Sequence, residues 1–141
     1  MPKVSIETIT LLLRIAFLVG AITDGLAVVP MLSRRVGVAL FGGDSSRDNM
    51  ESRFAWGVGS ALMAGWTLLL LWGALSPITR RDILLLTVFP AMAGIVLVTV
   101  IAARRGLVSV ARMVPLWIHL GTVSLFYILV YVLSIPFVRS N

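Results

Sequence analysis

The chain has 141 residues, of which 59% are hydrophobic and only 13% are charged. A soluble domain carries about 25% charged residues, so the polar residues are too few to cover a water-soluble core. The formal charge of +6 comes from basic residues at the ends of apolar runs, a pattern that favours contact with lipid headgroups and argues against nucleic-acid binding. With no cysteine and one histidine, we expect no disulfide, no metal site and no cofactor.

Four apolar segments follow one another along the chain, and each is long enough to cross a bilayer, which takes about 20 apolar residues. The predicted spans are residues 8–32, 54–75, 82–103 and 113–137. Short second and third loops make neighbouring helices antiparallel. The sequence therefore predicts an all-α integral membrane protein, an up-down-up-down four-helix bundle that forms a single transmembrane domain over residues 1–141.

The first loop, residues 33–53, is the longest connection and contains the apolar piece VGVALF at 36–41. This piece is either a short interfacial or re-entrant segment, or an apolar patch packed on the end of the bundle. In the third span, Pro90 predicts a kink, because proline lacks the N–H that continues a helix.

Tryptophans mark both ends of the second span and the start of the fourth. Trp56, Trp72 and Trp117 are expected to lie at the membrane interfaces, where indole rings are enriched. Trp66 lies in the middle of the second span and is expected to pack against another helix.

The basic residues predict an orientation. Two loops carry most of them, at positions Arg34, Arg35, Arg47, Arg53, Arg104, Arg105 and Arg112. The opposite side carries Lys3, Arg80, Arg81 and Arg139. The positive-inside rule then places the first and third loops in the cytoplasm and both termini outside.

Small residues recur every four positions in the second span, at Gly57, Ala61 and Gly65. Such a face lets another helix approach closely in a bilayer. One interpretation is packing within the bundle, and the sharper one is a contact between copies in a homo-oligomer.

Three ionisable residues lie inside predicted spans: Arg14, Asp24 and His119. Ionisable groups at this depth are costly and usually functional. Counted along the spans, Asp24 and His119 share one depth with Ser60 and Thr99, which predicts a polar site. Arg14, Thr87 and Tyr131 form a second polar layer in the opposite leaflet.

We predict that Asp24 faces the bundle interior and pairs directly with His119, since the first and last helices of a closed bundle are neighbours. The alternative is that Asp24 is satisfied locally, by backbone carbonyls or by Ser60 or Thr99. Arg14 is expected to extend its guanidinium towards the terminal side of the membrane.

Two stretches carry a resemblance. LLLRIAFLVGAITDG resembles the first span of small four-helix bacterial membrane proteins of the DoxX type, and GWTLLLLWGALSPITRRDILLLT resembles stretches of other bacterial membrane proteins. The resemblance covers two spans and contains no catalytic motif, so it implies the four-helix architecture and no activity.

Three classes of function fit these features. The first is a protein that binds membrane lipids or a hydrophobic ligand, or an accessory subunit of a membrane complex. The second is an oligomeric channel or transporter with its polar layer at Asp24 and His119. The third is a membrane enzyme that uses the same two residues as an acid–base pair. With no nucleophile motif or phosphate-binding loop, the sequence leans away from an enzyme and assigns no catalytic residue.

Overall fold

A computed structural model of the chain describes residues 5–33, 35–37 and 50–137. All the regular elements in these ranges are helical: α1 Ile6–Leu32, α2 Met50–Leu75, α3 Asp82–Leu86, α4 Ala93–Arg104 and α5 Val110–Ser134. A π-helical segment, Thr87–Met92, joins α3 to α4 in one long helix, Asp82–Arg104, and a 3-10 turn, Ile135–Phe137, follows α5. The predicted all-α fold with four long apolar helices is thus confirmed. Most of the apolar piece at 36–41 lies outside the described residues.

The start of α1 is fixed by a side-chain cap. The hydroxyl of Ser5 accepts a hydrogen bond from the backbone N–H of Thr8 at 3.2 Å, which satisfies one of the free donors at a helix start. Glu7 lies in the first turn, where a carboxylate is favoured by the helix dipole. These local preferences begin the helix two residues earlier than the apolar pattern predicts.

Pro90 lies in a π-helical segment of the third long helix, and the predicted kink at this residue stays a prediction. Because proline has no N–H to donate, the regular hydrogen-bond pattern is interrupted. At the end of the segment the N–H of Ala93 donates to the carbonyl of Val88, five residues earlier. Such widened turns are a known way for a helix to absorb a local irregularity.

The helix α1 packs most extensively against α2 and also contacts α5. Phe17 of α1 lies against Gly73 of α2, and Met31 near the end of α1 lies beside Gly59 near the start of α2, so the two helices run in opposite directions. The third long helix packs on α5 and touches α2.

Two glycines allow the tightest contacts in the core. A Cβ atom added at Gly73 would lie 2.4 Å from the ring of Phe17, and one added at Gly20 would lie 1.9 Å from the hydroxyl of Tyr127. Both aromatic residues are 0% exposed. The absence of a side chain at each glycine is therefore what lets a large ring fill the space between helices.

The predicted packing of Gly57 and Gly65 inside the bundle is wrong. No other described atom lies within 4 Å of a Cβ position built on either glycine, and Ala61 between them is exposed. The reason is the rotation of α2, which turns Leu70 and Gly73 towards α1 and leaves the repeat of small residues on the opposite side of the helix.

Candidate functional site

Asp24 lies on α1, one helical turn beyond Gly20, and is partly buried. Electrostatic interactions link it to His119 and Tyr127, both on α5. However, none of the residues that the structure describes forms a hydrogen bond or an ion pair with the carboxylate. The predicted direct pair between Asp24 and His119 is therefore not formed.

The orientation of α5 explains why this pair is missing. The buried side of α5 near α1 carries Leu120, Val123 and Tyr127, whereas His119 is exposed. Depth counted along each span does not fix the direction in which a helix presents a side chain.

Tyr127 is a polar group that the sequence analysis places in neither of the two polar layers. Its side chain is 0% exposed, and its hydroxyl makes no hydrogen bond within the described part of the chain. The hydroxyl points at the backbone of Gly20, one turn from Asp24. The sequence shows a tyrosine in the middle of one span and a glycine in the middle of another. Whether these two residues meet depends on how the two helices are aligned, and the sequence does not give that alignment.

Thr99, expected beside Asp24, instead has a tryptophan partner. The indole Nε1–H of Trp117 donates to Thr99 Oγ1 at 2.9 Å, while Thr99 donates its own hydroxyl proton to the carbonyl of Ile95 at 2.8 Å. Because a hydroxyl can donate and accept at once, both polar groups are satisfied without water. The contact ties α4 to α5.

A matching bond ties the third long helix to α2. Trp66 Nε1 donates to Thr87 Oγ1 at 3.1 Å, and Thr87 donates to the carbonyl of Ile83 at 2.8 Å. Trp66 thus packs against another helix, as its position in the middle of α2 predicts. Thr87 is buried and serves this contact rather than a polar layer with Arg14.

Ser60, the remaining member of the predicted polar site, has a local partner instead of Asp24. Ser60 is buried and donates to the carbonyl of Gly57 at 2.8 Å. At the level of Asp24, α2 presents Thr67 rather than Ser60, since a Cβ added at Gly25 would lie 3.6 Å from Thr67 Cγ2. Ser60 therefore does not lie beside Asp24, and the shared depth of Arg14, Thr87 and Tyr131 stays a prediction.

Two arginines, Arg80 and Arg81, make side-chain contacts at one end of the bundle. Arg81, whose side chain is 14% exposed, donates to the carbonyl of Ser134 at 3.0 Å and lies 5.2 Å from the ring centre of Tyr131. The guanidinium of Arg80 lies 3.6 Å from the ring centre of Trp72. A cation at the last carbonyls of a helix is favourable, so Arg81 fastens the start of α3 to the end of α5. Tyr131 belongs to this contact.

Arg14 is exposed on α1 and pairs with none of the described residues. It lines a groove of about 400 Å³ together with Ile6, Glu7, Thr10, Leu11 and Ile78. The groove lies between the start of α1 and the loop that precedes α3.

Within the described ranges, no group of three or more His, Cys, Asp or Glu side chains could hold a metal ion. Comparison with protein-family models, with curated proteins and with solved structures finds no match.

Proposed function

We propose that the protein is an integral membrane protein whose four long helices cross the cell membrane. The candidate spans are 27, 23, 23 and 28 residues long, against the roughly 20 residues that a bilayer requires. Large apolar side chains point outward from every one of them, for example Leu11, Leu62, Phe89 and Leu125. A bundle with so apolar an outside is stable in lipid and would aggregate in water.

An up-down-up-down arrangement is supported by the contacts between helices. α1 and α2 run in opposite directions, and the third long helix meets α5 in the same way, since Met92 contacts Ser124 and Thr99 contacts Trp117. We further propose that the first and third loops face the cytoplasm and both termini face outward, on the basis of the arginine distribution.

Within this architecture, we propose that the protein is an interaction protein that self-associates in the membrane by packing one face of α2 against the same face of a second copy. The observation that carries this proposal is the α2 outer face, which we define as Gly57, Ala61 and Gly65. All three residues are exposed, and no described atom occupies the space in front of the two glycines. In lipid, a row of small residues at four-residue spacing is a favourable surface for close helix packing.

The filled interior supports an interaction role over transport or catalysis. At the level of Gly20 the space between α1, α2 and α5 is occupied by Tyr127 and by Leu70, both 0% exposed. Asp24 lacks the direct partner that an acid–base pair with His119 would need. A lipid-binding role is compatible with this architecture. We propose a second copy of the chain as the partner that packs on the α2 outer face.

Replacing Gly65 by leucine tests the docking proposal. The matched control is Gly121→Leu on α5, because Gly121 also has no described atom within 4 Å of its Cβ position but stands alone among larger residues. In lipid nanodiscs or mild detergent, native mass spectrometry should find dimers for the original chain and for Gly121→Leu, and monomers for Gly65→Leu. Unchanged dimers in Gly65→Leu, or a wild-type protein that stays monomeric, would contradict the proposal.

A further inference from the structure

We propose that the groove at the start of α1 binds the headgroup of a phosphoethanolamine lipid. The groove is the space of about 400 Å³ lined by Ile6, Glu7, Thr10, Leu11, Arg14 and Ile78, and we call it the α1 groove. This inference rests on the proposed insertion of the helices in a membrane.

Arg14 supplies the reason to expect an anion. It lies eight residues beyond Ile6, or about 12 Å along the helix at about 1.5 Å per residue, and it forms no ion pair or hydrogen bond with any residue that the structure describes. A cationic side chain inside a span is costly and needs an anionic or polar partner. The long arginine side chain reaches towards the interface, where the abundant anion is the lipid phosphate, and a guanidinium binds phosphate through two parallel hydrogen bonds.

Glu7 indicates the charge that the outer part of the headgroup carries. It lies seven residues before Arg14, close to two full turns, so it lines the same groove nearer to the end of the helix. Glu7 is also exposed and without an ion pair among the described residues. From the end of α1 inward, the groove therefore presents a negative charge and then a positive charge. A lipid headgroup with an outer ammonium and an inner phosphate matches this order, whereas an anionic headgroup would be repelled by Glu7.

Thr10 distinguishes between ammonium types. Its hydroxyl donates to the carbonyl of Ile6 at 2.8 Å, which leaves the oxygen free to accept a hydrogen bond between Glu7 and Arg14. The primary ammonium of ethanolamine can donate to Thr10 and Glu7, but the quaternary ammonium of choline has no N–H to donate. Leu11 and Ile78 give the groove apolar walls against which the glycerol and the first acyl carbons would pack.

Native mass spectrometry in mixed nanodiscs tests this site. The nanodiscs contain phosphatidylethanolamine, phosphatidylcholine and phosphatidylglycerol in equal amounts with the same acyl chains, and the measured quantity is the lipid retained on the released protein. We expect the wild type to retain phosphatidylethanolamine in preference to both others. Arg14→Gln should weaken that retention about tenfold, the effect of losing one strong charge-assisted contact. Glu7→Gln should instead shift the preference towards phosphatidylglycerol.

Two control variants test whether the loss of lipid retention is specific to Arg14 and to its charge. Arg104→Gln removes another exposed arginine at the end of a helix and should leave lipid retention unchanged. Arg14→Lys keeps the charge and should retain more phosphatidylethanolamine than Arg14→Gln, which guards against a general folding defect. Wild-type protein without a lipid preference, or Arg14→Gln with the wild-type preference, would overturn the α1 groove as a lipid site. Protein that never enters the nanodisc would overturn the membrane proposal itself.

Discussion

The hydroxyl of Tyr127 is buried without a hydrogen-bond partner in the described part of the chain, and burying such a group costs about 1–3 kcal/mol. Tyr127→Phe removes the hydroxyl and keeps the ring that fills the space beside Gly20. We expect the free energy of unfolding to stay the same or to rise by about 1 kcal/mol, measured by reversible denaturation in mixed micelles.

Tyr131→Phe is the control for this change, because its ring lies at the end of the bundle near Arg81, and we expect it to change stability less. A loss of more than about 1 kcal/mol in Tyr127→Phe alone would mean that the hydroxyl has a bonding partner.

The bond between Trp66 and Thr87 can be measured directly by a double-mutant cycle. Trp66→Phe and Thr87→Val each remove one side of the bond while preserving most of the shape. We expect a coupling energy of about 0.6 kcal/mol, and at most about 1.7 kcal/mol, as for other interhelical hydrogen bonds in membranes.

Thr122→Val is the control partner in this cycle, since Thr122 is exposed and donates only to the carbonyl of Ile118 in its own helix. Trp66→Phe combined with Thr122→Val should be additive. A cycle between Trp66 and Thr87 that is also additive would show that their contact contributes no stability.

The polar residues show which part of the site could be predicted from the sequence. The depth of each residue along its span follows from counting, and this singled out Asp24, Thr87 and Thr99 as groups that need an explanation. Their partners depend on how each helix is rotated about its axis. Thr87 and Thr99 accept hydrogen bonds from Trp66 and Trp117, and no periodicity in a single helix contains that information.

At the scale of the helices, the glycines divide into two groups with opposite expected behaviour. Gly20→Ala and Gly73→Ala would each place a Cβ in contact with a buried ring. We expect each to lower the free energy of unfolding by about 1–3 kcal/mol, the usual cost of overpacking. Denaturation in detergent, with the wild type as reference, measures the effect.

Gly94→Ala and Gly121→Ala are the matched controls, because no described atom outside its own helix backbone lies within 4 Å of either Cβ position. Alanine favours a helix over glycine by about 1 kcal/mol, so these variants should be neutral or slightly more stable. Equal destabilisation in all four variants would contradict the tight contacts that Gly20 and Gly73 make with the buried rings.

The same glycines show a limit of sequence patterns. The repeat at Gly57, Ala61 and Gly65 indicates a face made for close packing, but α2 carries a second small position at Gly73 that meets Phe17. Which of the two faces turns inward depends on the partner helices. The disruption at Pro90, by contrast, was predictable, since a missing N–H acts within its own helix.

At the scale of the whole molecule, four apolar runs separated by charged loops were enough to predict four long helices, because chain length and hydropathy set this feature. The described helices begin and end within four residues of the predicted segments. The sequence did not show which of the many apolar residues form the small buried core. Residues such as Phe17, Leu70 and Tyr127 are fully buried, while many apolar side chains of equal size face outward.

The central claim is that this outward apolar surface lies in a bilayer, and single-cysteine labelling tests it most directly. The natural chain has no cysteine, so Ser76→Cys, Leu97→Cys and Ser109→Cys each carry one thiol. In sealed membrane vesicles, a water-soluble, membrane-impermeant maleimide should label positions 76 and 109 from opposite sides. It should not label position 97, although Leu97 is 61% exposed on the bundle. Rapid labelling at position 97, or labelling of both loop positions from one side, would contradict the membrane-spanning four-helix account.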